Sequence, residues 1–324
     1  MGIASTTRCL AISGGVGGAK LALGLAQVVA PEALLIVANT GDDFVHMGLP
    51  ICPDLDTVMY TLAGLNNKAQ GWGLAGESWN FLGALKTLQG ESWFGLGDRD
   101  LATHLTRGEM LRQGDSLSAV TQALCLRLGV APTLVPMSDA PVATMIHTDQ
   151  GGPLAFQHYF VRDRCAPVVT GFEFRGIELA SPSPVFLAGM QDPELEAIII
   201  CPSNPFVSVD PVLAVPGVMS AMQASSAPVI AVSPIVGGQA IKGPAAKMMA
   251  ELGMPQSALA VAQHYQGRID GFVIDEADRA LQSDIEALGI PTIVTRTVMV
   301  TLADRRELAA SVLEFAQRLK LRDP

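Results

Sequence analysis

The sequence predicts an α/β fold: a doubly wound, mostly parallel, Rossmann-like sheet with a helical insertion and a small β-hairpin element. Three observations predict it. The short apolar run 8–13 meets the glycine cluster Gly14-Gly-Val-Gly-Gly18, and a stretch of helical composition follows to Ala30. A second continuous apolar run, 33–38, comes next. Two such runs around one helix make a βαβ unit whose strands are buried on both faces. Beyond about residue 190, apolar runs at 196–200, 228–232, 271–274 and 291–295 alternate with helical stretches at 243–253, 277–288 and 304–319, the rhythm of a parallel sheet.

The middle of the chain breaks that rhythm. Helical stretches at 54–66, 77–89, 98–112 and 118–128 come in succession. Strand-like runs at 132–136, 142–148 and 154–161 follow, the last two flanking the turn sequence Asp149-Gln-Gly-Gly-Pro153. The nucleotide-binding core is therefore expected from 1–52 and 190–324, with 53–189 as a mainly helical insertion plus hairpin.

Composition narrows the function classes. The chain has 324 residues, 49% hydrophobic and 16% charged, which excludes a disordered protein. Its net charge of −10 argues against a nonspecific nucleic-acid binder, which needs a basic face. Five scattered cysteines without a CxxC pair fit free thiols in a reducing cytoplasm, not a disulfide framework or zinc site. No run of 18 apolar residues suggests a membrane span.

Gly14, Gly15, Gly17 and Gly18 precede Lys20 at a helix start, where open N–H groups and absent side chains let phosphate oxygens approach. The pattern departs from both the P-loop and the dinucleotide GxGxxG, and a tight turn without a ligand is the alternative. Asn39-Thr-Gly-Asp-Asp43 follows the second strand directly, so it should lie beside the glycine loop. Carboxylates next to a phosphate site repel the ligand unless a cation intervenes, and Mg²⁺ takes one or two carboxylates plus phosphate oxygens. A solvated acidic turn is the competing reading. Pro53-Asp-Leu-Asp56 opens a helix, where Asp54 suits an N-cap and Asp56 the first turn; a metal shell closed with Asp43 is the other reading. Asp98 in Gly97-Asp-Arg-Asp100, Ser203 and Asn204 in Pro202-Ser-Asn-Pro205, and Lys242 and Lys247 in Lys242-Gly-Pro-Ala-Ala-Lys247 are further polar groups by strand ends or glycine turns. Asp275-Glu-Ala-Asp-Arg279 is another polar strand end.

These motifs, with Gly97-Asp-Arg-Asp-Leu-Ala-Thr-His104, Pro136-Met-Ser-Asp139 and Ser233-Pro-Ile-Val-Gly237, together resemble the 2-phospho-L-lactate transferase family of coenzyme F420 biosynthesis, in consistent order over about residues 8–280. The resemblance implies a Mg²⁺-dependent transfer. A phospho-three-carbon-acid group (2-phospholactyl, phosphoenolpyruvyl or 3-phosphoglyceryl) moves from a GDP-linked donor to the ribityl hydroxyl of a 5-deazaflavin, FO, releasing GMP. It implies deazaflavin contact by Asp56, and Gly95 stands where some archaeal members carry a lysine. A cytoplasmic homodimer is expected. Asp56 and Asp43 are the candidate catalytic and metal-binding residues; Gly14, Gly15, Gly17, Gly18, Lys20, Asn39, Asp56, Asp98, Ser203, Asn204 and Lys242 are candidates for ligand binding. Two other readings compete: a nucleotide-sugar-binding regulator of a related family, and a nicotinamide oxidoreductase, which the broken glycine pattern disfavours.

Overall fold

Seven parallel strands form the centre of the protein, in a computed structural model that describes residues 7–241 and 243–321. In chain order they are β1 (Arg8–Ser13), β2 (Leu34–Ala38), β3 (Thr133–Pro136), β4 (Leu195–Ile200), β5 (Val229–Val232), β6 (Gly271–Asp275) and β7 (Thr292–Thr295). Their spatial order is β7-β6-β5-β4-β1-β2-β3. The direction of winding reverses between β1 and β4, which pair in parallel from Cys9 opposite Ala197 to Ile12 opposite Ile200. Crevices at such switch points, off the carboxyl ends of the strands, are where open α/β sheets bind ligands.

The strands read as continuous apolar runs because alternate residues serve opposite cores. Leu10, Ile12, Val37, Ile198, Ile200, Ala231 and Phe272 face one cluster. Cys9, Ala11, Ile36, Ala197, Ile199, Ile230 and Val273 face the other. That second face is covered by helix α1 (Gly15–Leu25) and the long C-terminal helix Leu302–Lys320, which bring Leu21, Leu25, Leu308 and Val312 to it. The C-terminal helix starts at a capping box, with Thr301 and Asp304 satisfying each other's backbone N–H groups.

Further helices are α2 (Pro53–Leu62), α3 (Asn80–Thr87), α4 (Asp98–Arg112) and α5 (Leu117–Arg127). Two expectations are corrected. Segment 53–189 is not wholly an insertion, because it supplies β3, the strand that extends the central sheet beyond β2. The expected strand over 154–161 ends at Ala155, and residues 158–162 form a helical turn. Phe156 and Phe160 sit four residues apart and stack at 5.5 Å, a helical spacing that buries Tyr159 completely. The hairpin is thus part of a three-stranded antiparallel sheet, with Ala143–Thr148 between Gly151–Ala155 and Val169–Arg175. Among the described residues no single helix is long and apolar enough to cross a membrane.

Candidate active site

The chain leaves β1 in extended conformation at Gly14 and enters α1 through Gly15, which has φ +60. That left-handed value favours glycine. The N-cap Gly14 has no side chain to cap this helix and no acidic residue occupies its own first turn, so the partner of its N-terminal dipole comes from elsewhere in the chain. Gly14 and Ser203 lock the ends of β1 and β4 together. The Gly14 N–H donates to Ser203 Oγ at 3.1 Å, and the Ser203 hydroxyl donates to the Gly14 carbonyl at 2.7 Å. The packing is close: a Cβ on Gly17 would stand 2.2 Å from the Pro202 carbonyl oxygen, and one on Gly18 2.6 Å from Ser13 Oγ. Lys20 donates to the Met299 carbonyl at 3.0 Å and so ties the helix to the loop after β7.

Two carboxylates converge on the start of α1. Asp54 Oδ1 accepts from the Gly15 N–H at 2.6 Å. The Asn39 amide donates to Asp42 and, at 3.0 Å, to Asp54 Oδ2, bridging the two acids. Burial pushes both carboxyls upward, Asp54 to about 6; the Asp54 charge pushes Asp42 further. Burial also raises Asp43, one of whose oxygens is enclosed without a hydrogen-bond partner. Among the described residues no group of three or more His, Cys, Asp or Glu side chains converges on a metal position. The donor set instead fits a Mg²⁺ that shares one or two carboxylates with phosphate oxygens. Asp42 and Asp54 line the cavity; Asp43 does not.

Asp56 meets a different partner. Arg107, on α4, forks both of its carboxylate oxygens, Nη1 to Oδ2 at 3.1 Å and Nη2 to Oδ1. The pair is buried, with Arg107 2% exposed. Asp56 is therefore not open to a metal ion in the manner expected of it. Arg107 Nη1 also lies 3.2 Å from His104 Nδ1. Asp100 accepts from the Tyr60 hydroxyl at 2.7 Å and faces His104 Nε2 at 3.3 Å. Helices α2 and α4 thus meet along Asp56 and Tyr60 on one side and Asp100, His104 and Arg107 on the other. Arg107 escaped sequence reasoning, although the spacing of 100, 104 and 107 marks a charged stripe on one face of a helix.

These groups surround a cavity of about 440 Å³. Gly14, Gly15, Gly17, Lys20, Ser203 and Asn204 line its glycine-loop end, and Asp56 lines it as well. Trp72, Phe94, Phe156 and Phe160 give it an aromatic wall that sequence reasoning did not find, with Gly95 between. Gly18 and Asn39 stand behind the lining and support it. Asp98 is elsewhere: it accepts from Ser78 Oγ at 2.6 Å, Asn80 N at 3.1 Å and Phe81 N at 2.9 Å, capping α3. Those bonds, that of Ser78 foremost, pull its carboxyl down to about 2. Lys242 lies outside the described residues.

Behind the aromatic wall, Trp93 packs between His46 and His158, at centroid distances of 5.1 and 4.8 Å. His46 is 2% exposed and its Nε2 has no hydrogen-bond partner. Burial lowers its pKa below the ordinary value of about 6.5. The folded protein then binds this proton less tightly than the unfolded chain. Its contribution to stability is present above about pH 6.5 and is lost as pH falls through the lowered folded value. Replacing His46 with Phe is expected to remove this loss. In thermal unfolding the variant should gain on the parent between about pH 7 and 5; parallel curves would contradict the assignment.

The fold and site define a doubly wound α/β protein with a candidate anion-binding site at its switch point. Comparison with known proteins specifies the family. The family model described as 2-phospho-L-lactate transferase CofD matches residues 9–288. A phosphoenolpyruvate transferase of Kitasatospora aureofaciens is 42% identical over 319 residues, covering 97% of this chain and 99% of that protein. A 2-phospho-L-lactate transferase of Methanosarcina mazei is 37% identical over 302 residues, covering 93% and 98%. A solved UPF0052-family protein of Bacillus halodurans shares the fold, with a TM-score of 0.61, 16% identity, and coverage of 96% and 100%. The chain belongs to the 2-phospho-L-lactate transferase CofD family.

Proposed function

We propose that this protein transfers a phosphoenolpyruvyl group from a GDP-linked donor to the ribityl hydroxyl of FO, releasing GMP, in coenzyme F420 biosynthesis. The observation that carries the reading is one cavity lined both by a glycine-loop helix start with buried carboxylates and by four aromatic rings. It occurs in a chain 42% identical to a phosphoenolpyruvate transferase over nearly its whole length. That identity favours phosphoenolpyruvyl over 2-phospholactyl and 3-phosphoglyceryl.

In this reading the first turn of α1 binds the diphosphate through backbone N–H groups beyond that of Gly15, which Asp54 already takes, aided by the helix dipole. Asp42 and Asp54 would hold Mg²⁺ against it, the chemistry supplied by the bound ion being charge neutralisation on the transferring phosphoryl group. The aromatic wall stacks the deazaflavin ring and directs its ribityl chain toward the phosphates. The ribityl oxygen attacks the phosphorus that carries the three-carbon acid, the bond from that phosphorus to the GMP oxygen breaks, and the hydroxyl proton is lost to a carboxylate or water. Positioning contributes most in such a step. Asp56, fixed by Arg107, orients the hydroxyl.

Incubation with FO, Mg²⁺ and each candidate donor, followed by chromatography of the fluorescent deazaflavin, tests the reading. The phosphoenolpyruvyl donor should yield a new, more acidic fluorescent product together with GMP. Excess EDTA should abolish it, and full turnover in EDTA would remove the metal from the proposal. Binding of a nucleotide sugar without turnover of any donor would favour the regulator instead.

A further inference from the structure

Lys247 takes no part in the site as described, and the structure turns it away from the cavity. It lies on the helix Ala245–Glu251, whose preceding residues Gly243 and Pro244 line the cavity together with Ala245. Its ammonium donates to the Pro167 carbonyl at 3.1 Å and the Tyr159 hydroxyl at 3.4 Å, and pairs with Glu251 one turn on. It also stands 5.7 Å from the Tyr159 ring centroid. The second oxygen of Glu251 accepts from the Val169 N–H at 3.0 Å.

We propose that Lys247, with Glu251, is a positioning residue that sets the distance between two walls of the cavity. One wall is the core loop at 243–245. The other is the turn at 156–161, which belongs to the small antiparallel sheet and carries Phe156 and Phe160. Tyr159 lies within that turn, and Pro167 and Val169 end the loop that returns from it. One ammonium and one carboxylate therefore hold both ends of the segment 156–169. The segment needs holding: Arg164 and Cys165 are consecutive non-glycine residues in the left-handed region, with φ 50 and 56. Such conformations persist where surrounding contacts over-determine them. A lysine suits the task, because its three N–H bonds diverge toward a carbonyl, a phenol and a carboxylate, which a planar guanidinium cannot match. The helix itself is anchored by Met248 and Met249, both fully buried. Loss of the strut should therefore free the 156–169 side and leave the core loop in place.

The consequence for FO rests on the proposed function; the strut does not. The test is Lys247→Met, which keeps the stem and removes the donors, with Glu251→Gln as a milder second variant. Hydrogen exchange should accelerate in 157–169 and stay unchanged in β1 and β4. Deazaflavin fluorescence titration should show FO bound about tenfold more weakly, the low end for one lost charge-assisted hydrogen bond, while calorimetry should show GDP affinity within about twofold. Unchanged exchange in 157–169 for both variants would overturn the strut. Equal weakening of GDP and FO would overturn its assignment to the aromatic wall. A parent protein that binds no FO would overturn the functional reading, and the exchange comparison would still decide the strut.

Discussion

Replacing Arg107 with methionine is expected to destabilise the protein by about 3–5 kcal/mol, the range for removing one partner of a buried ion pair. Asp56 would then keep a buried charge with both oxygens uncompensated. Asp56→Asn should cost stability for the mirror reason, since the guanidinium of Arg107 would lose its partner. Each single variant therefore mixes folding with function. The double variant Arg107→Met, Asp56→Asn removes both charges and should recover part of the lost stability. It should not recover turnover, which we expect to stay at least about a hundredfold low if Asp56 orients the acceptor. Urea unfolding and steady-state turnover of the three variants are the measurements. A double variant that is both stable and active would show that the pair serves packing alone.

Gly17→Ala should disable the site through a single methyl group. Its Cβ would stand 2.2 Å from a backbone oxygen, that of Pro202. Either α1 or the loop from Pro202 to Asn204 must shift, and misplacement by about 1 Å can cost about a hundredfold in activity. Gly24→Ala is the control, on the same helix with the same 2.2 Å approach, to the Arg305 carbonyl oxygen in the C-terminal helix. Both should lower the melting temperature, with overpacking costing about 1–3 kcal/mol. Only Gly17→Ala should weaken GDP by the larger factor when calorimetry is done well below melting. Equal GDP affinity in the two variants would mean that the glycine loop is only a turn.

Much of the fold could be read in advance, because strands buried on both faces leave unbroken apolar runs that glycine turns then delimit. β1, β2 and the four strands after residue 190 are of this kind. β3 was legible as a strand but not as part of the sheet, since Thr133–Pro136 is too short for its pattern to say which strand it joins. In the site, the glycine turn from β1 into α1 was read from its spacing because its backbone geometry is local. The pairing of Asp56 with Arg107 was not, as it joins two helices across 51 residues. Asp98 shows the converse difficulty. An aspartate after a glycine turn looks the same in sequence whether it faces a ligand or, as here, caps a neighbouring helix.

The tie from Lys20 to Met299 bears on how the protein comes off the ribosome. The glycine loop is made well before its partners, since its helix packs on the helix Leu302–Lys320 and is pinned to a carbonyl 279 residues later. Its neighbour across the switch point, β4, also arrives late. At about 5–20 residues per second, α1 stays without these partners for on the order of 15–60 seconds. Until then α1 has only the cover that β1, β2 and α2 give it, with Leu55, Val58 and Met59 in its cluster, and the part that meets Leu308 and Val312 stays open to chaperones or to other nascent chains. The glycine turn thus reaches its final packing only when residues near 299–313 have docked on α1.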